Sequence, residues 1–172
     1  RLGKYNESYG NEAYQVEERP DDRVWGSYAQ FGYSDDIVST QDMLENIHDD
    51  HDHVVDQSFV VRNRIFDILI GDWDRHDDQW RWAIIEEDDK HYYRPIPRDR
   101  DQAFSKYDGF ILSIVRNTAP PARPLRPYVP YPRQIQWSNF GSRYFDGSFL
   151  TDLGWEEWER HARDIQRLVT DE

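Results

Sequence analysis

The run Gly71-Asp72-Trp73-Asp74-Arg75-His76-Asp77-Asp78-Gln79 crowds four carboxylates, a guanidinium, an imidazole and an amide into one short stretch. A second acidic run, Arg98-Asp99-Arg100-Asp101-Gln102-Ala103-Phe104, follows and is entered through the stiff Pro95-Ile96-Pro97. A carboxylate held rigidly at the rim of a cleft can orient a hydroxyl and accept its proton, and Asp74 is placed to do so. Gln79 offers a neutral oxygen, while Asp99 and Asp101 offer hard anionic ones. Hard oxygens in a chain without cysteine suit Mg²⁺ or Mn²⁺, not a structural zinc. Arg75, with Arg98 or Arg100, can neutralise the carboxylates or hold phosphate oxygens. His76 can orient the loop by hydrogen bonding as readily as it can titrate. The plain alternative is a net of Asp–Arg pairs that joins two loops without chemistry.

Both runs must sit at the ends of regular elements. Phe59, Ile65, Phe66, Leu69 and Ile70 fall near helical spacing, with Val61 and Ile68 widening the stripe. That pattern predicts a largely buried helix, capped by Asp56 or Ser58 and stopped at Gly71, where positive φ is tolerated. Trp80 to Ile85 and His91 to Ile96, flanking Glu86-Glu87-Asp88-Asp89-Lys90, read as a β-hairpin with an acidic turn. The two acidic runs then meet at the open end of that hairpin, and this is the geometric reason to treat them as one site.

Upstream, residues 1–20 read as two short extended pieces, with a strand at Ala13–Val16, and residues 21–38 as irregular. Ser39 followed by Asp42 resembles a capping box, predicting a helix from Thr40 to about His48. His48-Asp49-Asp50-His51-Asp52-His53 invites a metal, but adjacent loop residues rarely converge on one ion, and a charged linker is the ordinary reading. Downstream, residues 107–117 suit a short helix. Pro120, Pro121, Pro124, Pro127, Pro130 and Pro132 make a rigid connection, and residues 133–150 read as aromatic and irregular. A last helix from Trp155 to Thr170 puts Trp158, Ala162, Ile165 and Val169 on one face.

The totals bound the class. The 172 residues suit one domain or a large piece of one, and 15% aromatic content suits a folded core. A net charge of −13 opposes non-specific binding to nucleic-acid phosphates or an anionic membrane. No apolar run is long enough to span a bilayer as a helix. The chain starts at Arg1 without an initiator Met and reads as a segment of a longer protein.

Gly71-Asp72-Trp73-Asp74-Arg75-His76-x-x-Gln79 followed by Asp99-Arg100-Asp101-Gln102-Ala103-Phe104 resembles the catalytic and metal-binding loops of atypical protein-kinase-like folds. These include CotH-type spore-coat kinases, HipA-type toxin kinases, secretory-pathway kinases and phosphatidylinositol 4-kinases. The resemblance implies an α+β fold: a mainly helical kinase-like C-terminal lobe with a small hairpin, lacking an N-terminal lobe. Residues 1–20 would be hinge-like strands, 39–117 the catalytic core, and 118–172 a connection and final helix. Asp74 would be the catalytic base, with Arg75 and His76 beside it. Gln79 would stand at the family's metal-binding Asn, Asp99 would be the chief metal ligand, and Asp101 a secondary one. The cofactors implied are Mg²⁺ or Mn²⁺ with ATP, and the partner is an unidentified hydroxyl acceptor. The wording of the two motifs is also similar to large bacterial proteins without an assigned activity, which points to the cell envelope. No glycine-rich loop or phosphate-binding lysine precedes the site, so a lobe of this kind should hold ATP weakly by itself.

Three functions are therefore weighed. The first is kinase-like phosphoryl transfer in the intact protein. The second is a metal-dependent phosphoester hydrolase, disfavoured because His76 is the only histidine in either loop. The third is a non-enzymatic, pseudokinase-like binding module.

Overall fold

The computed structural model describes residues 31–170. The strand expected at Ala13–Val16, with the other extended pieces of residues 1–20, lies outside the described residues. The described chain is mixed α+β, built around a four-stranded sheet. Strand β1 is Asp36–Ser39, β2 His53–Val55, β3 Trp80–Glu87 and β4 Lys90–Pro97. The helices are α1 (Thr40–Asp49), α2 (Gln57–Ile70), α3 (Phe110–Thr118), α4 (Ile135–Ser138), α5 (Arg143–Phe149) and α6 (Trp155–Val169).

The expected hairpin is the centre of the sheet. Trp80 pairs with Pro97 at its open end and Glu87 with Lys90 at its turn. Asp88 and Asp89 both have positive φ, which a tight two-residue hairpin turn requires. The sheet is wider than the hairpin alone, in the order β1-β3-β4-β2. β1 runs antiparallel to β3, so part of the stretch expected to be irregular is a strand. β2 runs parallel to β4, and the acidic His48–His53 run carries the chain from α1 into it.

Local signals account for the helix ends. The Ser39 hydroxyl accepts from the Asp42 amide at 3.1 Å while the Asp42 carboxylate accepts from the Ser39 amide at 3.3 Å, a closed capping box. Asp56, not Ser58, caps α2, accepting from the Phe59 amide at 3.3 Å. Ser58 instead faces α6, where its hydroxyl lies 2.6 Å from Glu157 and 2.8 Å from His161.

The core gathers Met43 from α1, Val60 from α2, Trp80, Trp82 and Tyr93 from the hairpin, and Phe145 and Phe149 from α5. Trp80 stacks on Phe145 at 4.6 Å, and Phe149 meets Trp82 at 5.3 Å. Such pairs add roughly 0.5–1.5 kcal/mol beyond area burial. Two of the buried polar tips find partners: the Trp82 indole donates to Thr40, and the Tyr93 hydroxyl meets Asn46 and His53, whereas the Trp80 indole N–H has none among the described residues. α6 lies against α2, with His161 and Ile165 buried and Trp158 half-buried; the expected Ala162 and Val169 are exposed. Its inward face is set by the hydrogen bond to Ser58, which places a histidine where apolar spacing alone put alanine.

Candidate functional site

Helix α2 delivers the first acidic loop. Gly71 ends it with φ 72° and ψ 27°, the left-handed conformation that glycine takes at low cost. A Cβ at this position would lie 2.8 Å from the Tyr128 ring, so glycine is required twice over. The Asp72 amide then donates back to the Asp67 carbonyl at 2.9 Å. The second loop closes against the same helix end, because the Phe104 amide donates to the Ile70 carbonyl at 2.9 Å. The Arg98 amide donates to the Gln79 carbonyl at 2.9 Å, directly beyond the last hairpin pair. The hairpin brings the two loops together as expected.

Arg75 joins them. Its side chain is fully buried, and its guanidinium donates to the Asp72 carboxylate, to the Arg98 carbonyl and, at 3.5 Å, to the Asp99 carbonyl. Its Nε also lies 3.4 Å from Asp67. Asp67 is the hub of a wider network. Arg64 reaches it at 3.0 Å and Arg100 at 2.8 Å, and Arg64 goes on to Asp146 at 2.7 Å and Ser142 at 2.6 Å. Burial pushes the carboxyl pKa of both Asp67 and Asp72 up, and the surrounding guanidiniums offset only part of that. Burial likewise lowers the Arg100 guanidinium. A charge set of this kind holds together because removing any member strands the others.

Asp67 and Arg64 were not among the residues singled out by motif. Their signal was present nonetheless: two opposite charges three positions apart interrupt the apolar run from Phe59 to Ile70.

The six residues singled out divide into different roles. Asp74 is half-buried and makes no hydrogen bond or ion pair among the described residues. Arg75 is the clamp between the loops. His76 is exposed and starts a short 3-10 turn, Asp77–Gln79, by accepting from the Asp78 amide at 3.3 Å. Among the described residues, the Gln79 side chain makes its polar contact with the His76 ring, at 3.4 Å, while its carbonyl serves the second loop. Asp99 is exposed with φ 44°, a backbone strain that non-glycine residues rarely carry. Asp101 is exposed and accepts from Gln102 at 3.0 Å.

Among the described residues, no three His, Cys, Asp or Glu side chains gather as a metal site, in these loops or in the His48–His53 run. Mg²⁺ does not demand three protein anions, since it is commonly held by one or two carboxylates plus substrate phosphates. Comparison with known families, with curated proteins and with solved structures yields no match for this chain.

Proposed function

We propose that this chain carries the catalytic loops of a kinase-like phosphotransferase. The observation that supports it is the contrast between Arg75 and Asp74. The arginine fixes the first loop to the carbonyls of Arg98 and Asp99, while the adjacent carboxylate is half-buried and unengaged. A rigid loop that presents an uncommitted carboxylate suits a group that must orient an acceptor hydroxyl and take its proton. Asp99 and Gln79 would hold Mg²⁺ or Mn²⁺, which supplies charge neutralisation at nucleotide phosphates. Arg75 and Asp72 position that loop without touching the reactants.

Thermal melting with MnCl₂, with and without ATP, tests this reading in the chain and in any longer form extending before Arg1. Saturation at a hundredfold over the dissociation constant stabilises by about 2.7 kcal/mol, well within reach of a melt. The expected result is a shift that needs both metal and ATP and vanishes in Asp99→Ala. Asp74→Asn should keep the melting point and abolish phosphoryl transfer. A shift with metal alone would move the reading to hydrolysis.

The second reading is a binding module whose acids serve stability. It is favoured by the ion network around Asp67, which ties in Asp72 and Arg75. Loss of stability in Asp74→Asn with no change in any transfer activity would decide for it.

A further inference from the structure

Beside the Gly71–Trp73 segment lies a cavity of about 490 Å³. Its opposite wall comes from the proline-rich connection and the start of α4. Three arginines line it: Arg116, Arg126 and Arg133. None forms an ion pair among the described residues, although the chain carries a net charge of −13. Arg116 donates to the carbonyls of Tyr107 and Leu125 at 3.1 and 2.8 Å, and Arg126 to the carbonyl of Arg123 at 3.0 Å. Carbonyls satisfy N–H groups but leave the full positive charge in place. Burial and then the charge of Arg116 lower the Arg126 guanidinium, and both arginines line the same cavity. Asp67 and Asp72 also reach this cavity, but Arg64, Arg75 and Arg100 already meet their charge.

In a protein this acidic, a pair of arginines without ion-pair partners in one concave wall forms a local positive surface able to receive an anion. A dianion answers two guanidiniums where a single carboxylate answers one, and the guanidinium fork fits phosphate oxygens in pairs. The volume is in the range of small-molecule sites and far exceeds one phosphate group. Tyr128, Tyr131 and the flanking prolines give the remainder an aromatic and apolar lining suited to a ring.

We infer that this cavity binds an organic phosphomonoester, with Arg116 and Arg126 on the phosphate and Tyr128 and Tyr131 against its ring. The site stands whether or not the loops transfer phosphate. Where they do, its place beside Trp73 would make the ligand an acceptor or an effector of that reaction.

Calorimetric titration at pH 7.5 and low salt, without metal or nucleotide, tests it using phenyl phosphate, inorganic phosphate and benzoate. Phenyl phosphate should bind at one site at least ten times more tightly than the other two. Arg126→Gln should weaken it at least tenfold with an unchanged melting point, Arg126→Lys should recover part of the loss, and Arg133→Gln should weaken it a few-fold. Arg116 is left in place because it holds two carbonyls. Absence of saturable binding, equal affinity for benzoate, or an unaltered Arg126→Gln would overturn the site. Equal affinity for inorganic phosphate would overturn the organic part of the ligand. Because no metal or ATP is present, failure here leaves the phosphoryl-transfer reading standing, and failure of the metal–ATP melt leaves this site standing.

Discussion

Two ionic networks flank helix α2, and they do opposite things with the same chemistry. At its C-terminal end, Arg64, Arg75 and Arg100 surround Asp67 in the interior, where each charge exists only because the others do. Nearer its N-terminal end, Ser58, Glu157, Arg160 and His161 form a seam with α6 at the edge of solvent. There water can replace the partners of Arg160, although His161 itself is buried. A buried set fixes geometry because it has no second-best arrangement, while a surface set adds little stability and is easily re-formed. The loops that carry Asp74 and Asp99 are attached to the first kind, which suits a site that must not move.

The contrast is broken most severely by Arg75→Ala. Stranding Asp72 and part of Asp67 in the interior should cost about 3–5 kcal/mol in chemical denaturation. A loss below 1 kcal/mol would make the interior set as forgiving as the seam. Gly71→Ala comes next, at roughly 2 kcal/mol for the left-handed backbone and the Tyr128 overlap together. In a Tyr128→Ala background the same change should cost less, since only the backbone part remains, and a double-mutant cycle measures the difference.

Acidity separates the networks by sign. Burial, then Arg160, lowers the His161 pKa, so the unfolded chain takes up this proton first. Its contribution to stability is therefore intact above the ordinary value of 6.5 and shrinks as pH falls below it. Asp67 and Asp72 are raised, so their burial cost is present at neutral pH and is relieved as they protonate. Denaturation between pH 8 and pH 5 should show a downward slope below 6.5 that flattens in His161→Gln. An unchanged slope would assign it elsewhere. The smallest effect is expected from Glu157→Gln. Glu157 is held at about 2, first by the Arg160 hydrogen bond and then by Ser58. Its contribution is present above 4.5 and lost as pH falls through about 2. At neutral pH the substitution should shift the melting midpoint only slightly, and 1 M NaCl should erase the shift.

What could be read from sequence was what is written locally. Ser39 with Asp42, Asp56 ahead of α2, Gly71 behind it, and the two runs around Asp88-Asp89 each carry their instruction within a few residues. β1 and β2 do not. Asp36–Ser39 and His53–Val55 are too short to announce themselves and become strands only by pairing with β3 and β4. The same holds for α5, whose Phe145 and Phe149 read as part of an irregular stretch until Trp80 and Trp82 supply their partners. Within the site, Asp74, Gln79 and Asp99 were visible as a motif. The Asp67 hub was not, because its partners Arg75 and Arg100 come from the two acidic loops and Asp146, beyond Arg64, from α5. A charge in an apolar helix reveals that it needs partners, not which ones.

The placement of α5 has a consequence for covalent continuity. Phe145 and Phe149 enter the core, and Arg64 grips Asp146, all from beyond the proline-rich connection. α6 adds its own face against α2. The exposed stretch from Val129 to Pro132 contributes nothing to that core. A protease nick there should therefore leave two pieces that remain associated and co-elute, and separately expressed halves should reconstitute one another. The peptide bond at that point serves to tether the halves, and the aromatic stack and the buried arginine keep them assembled.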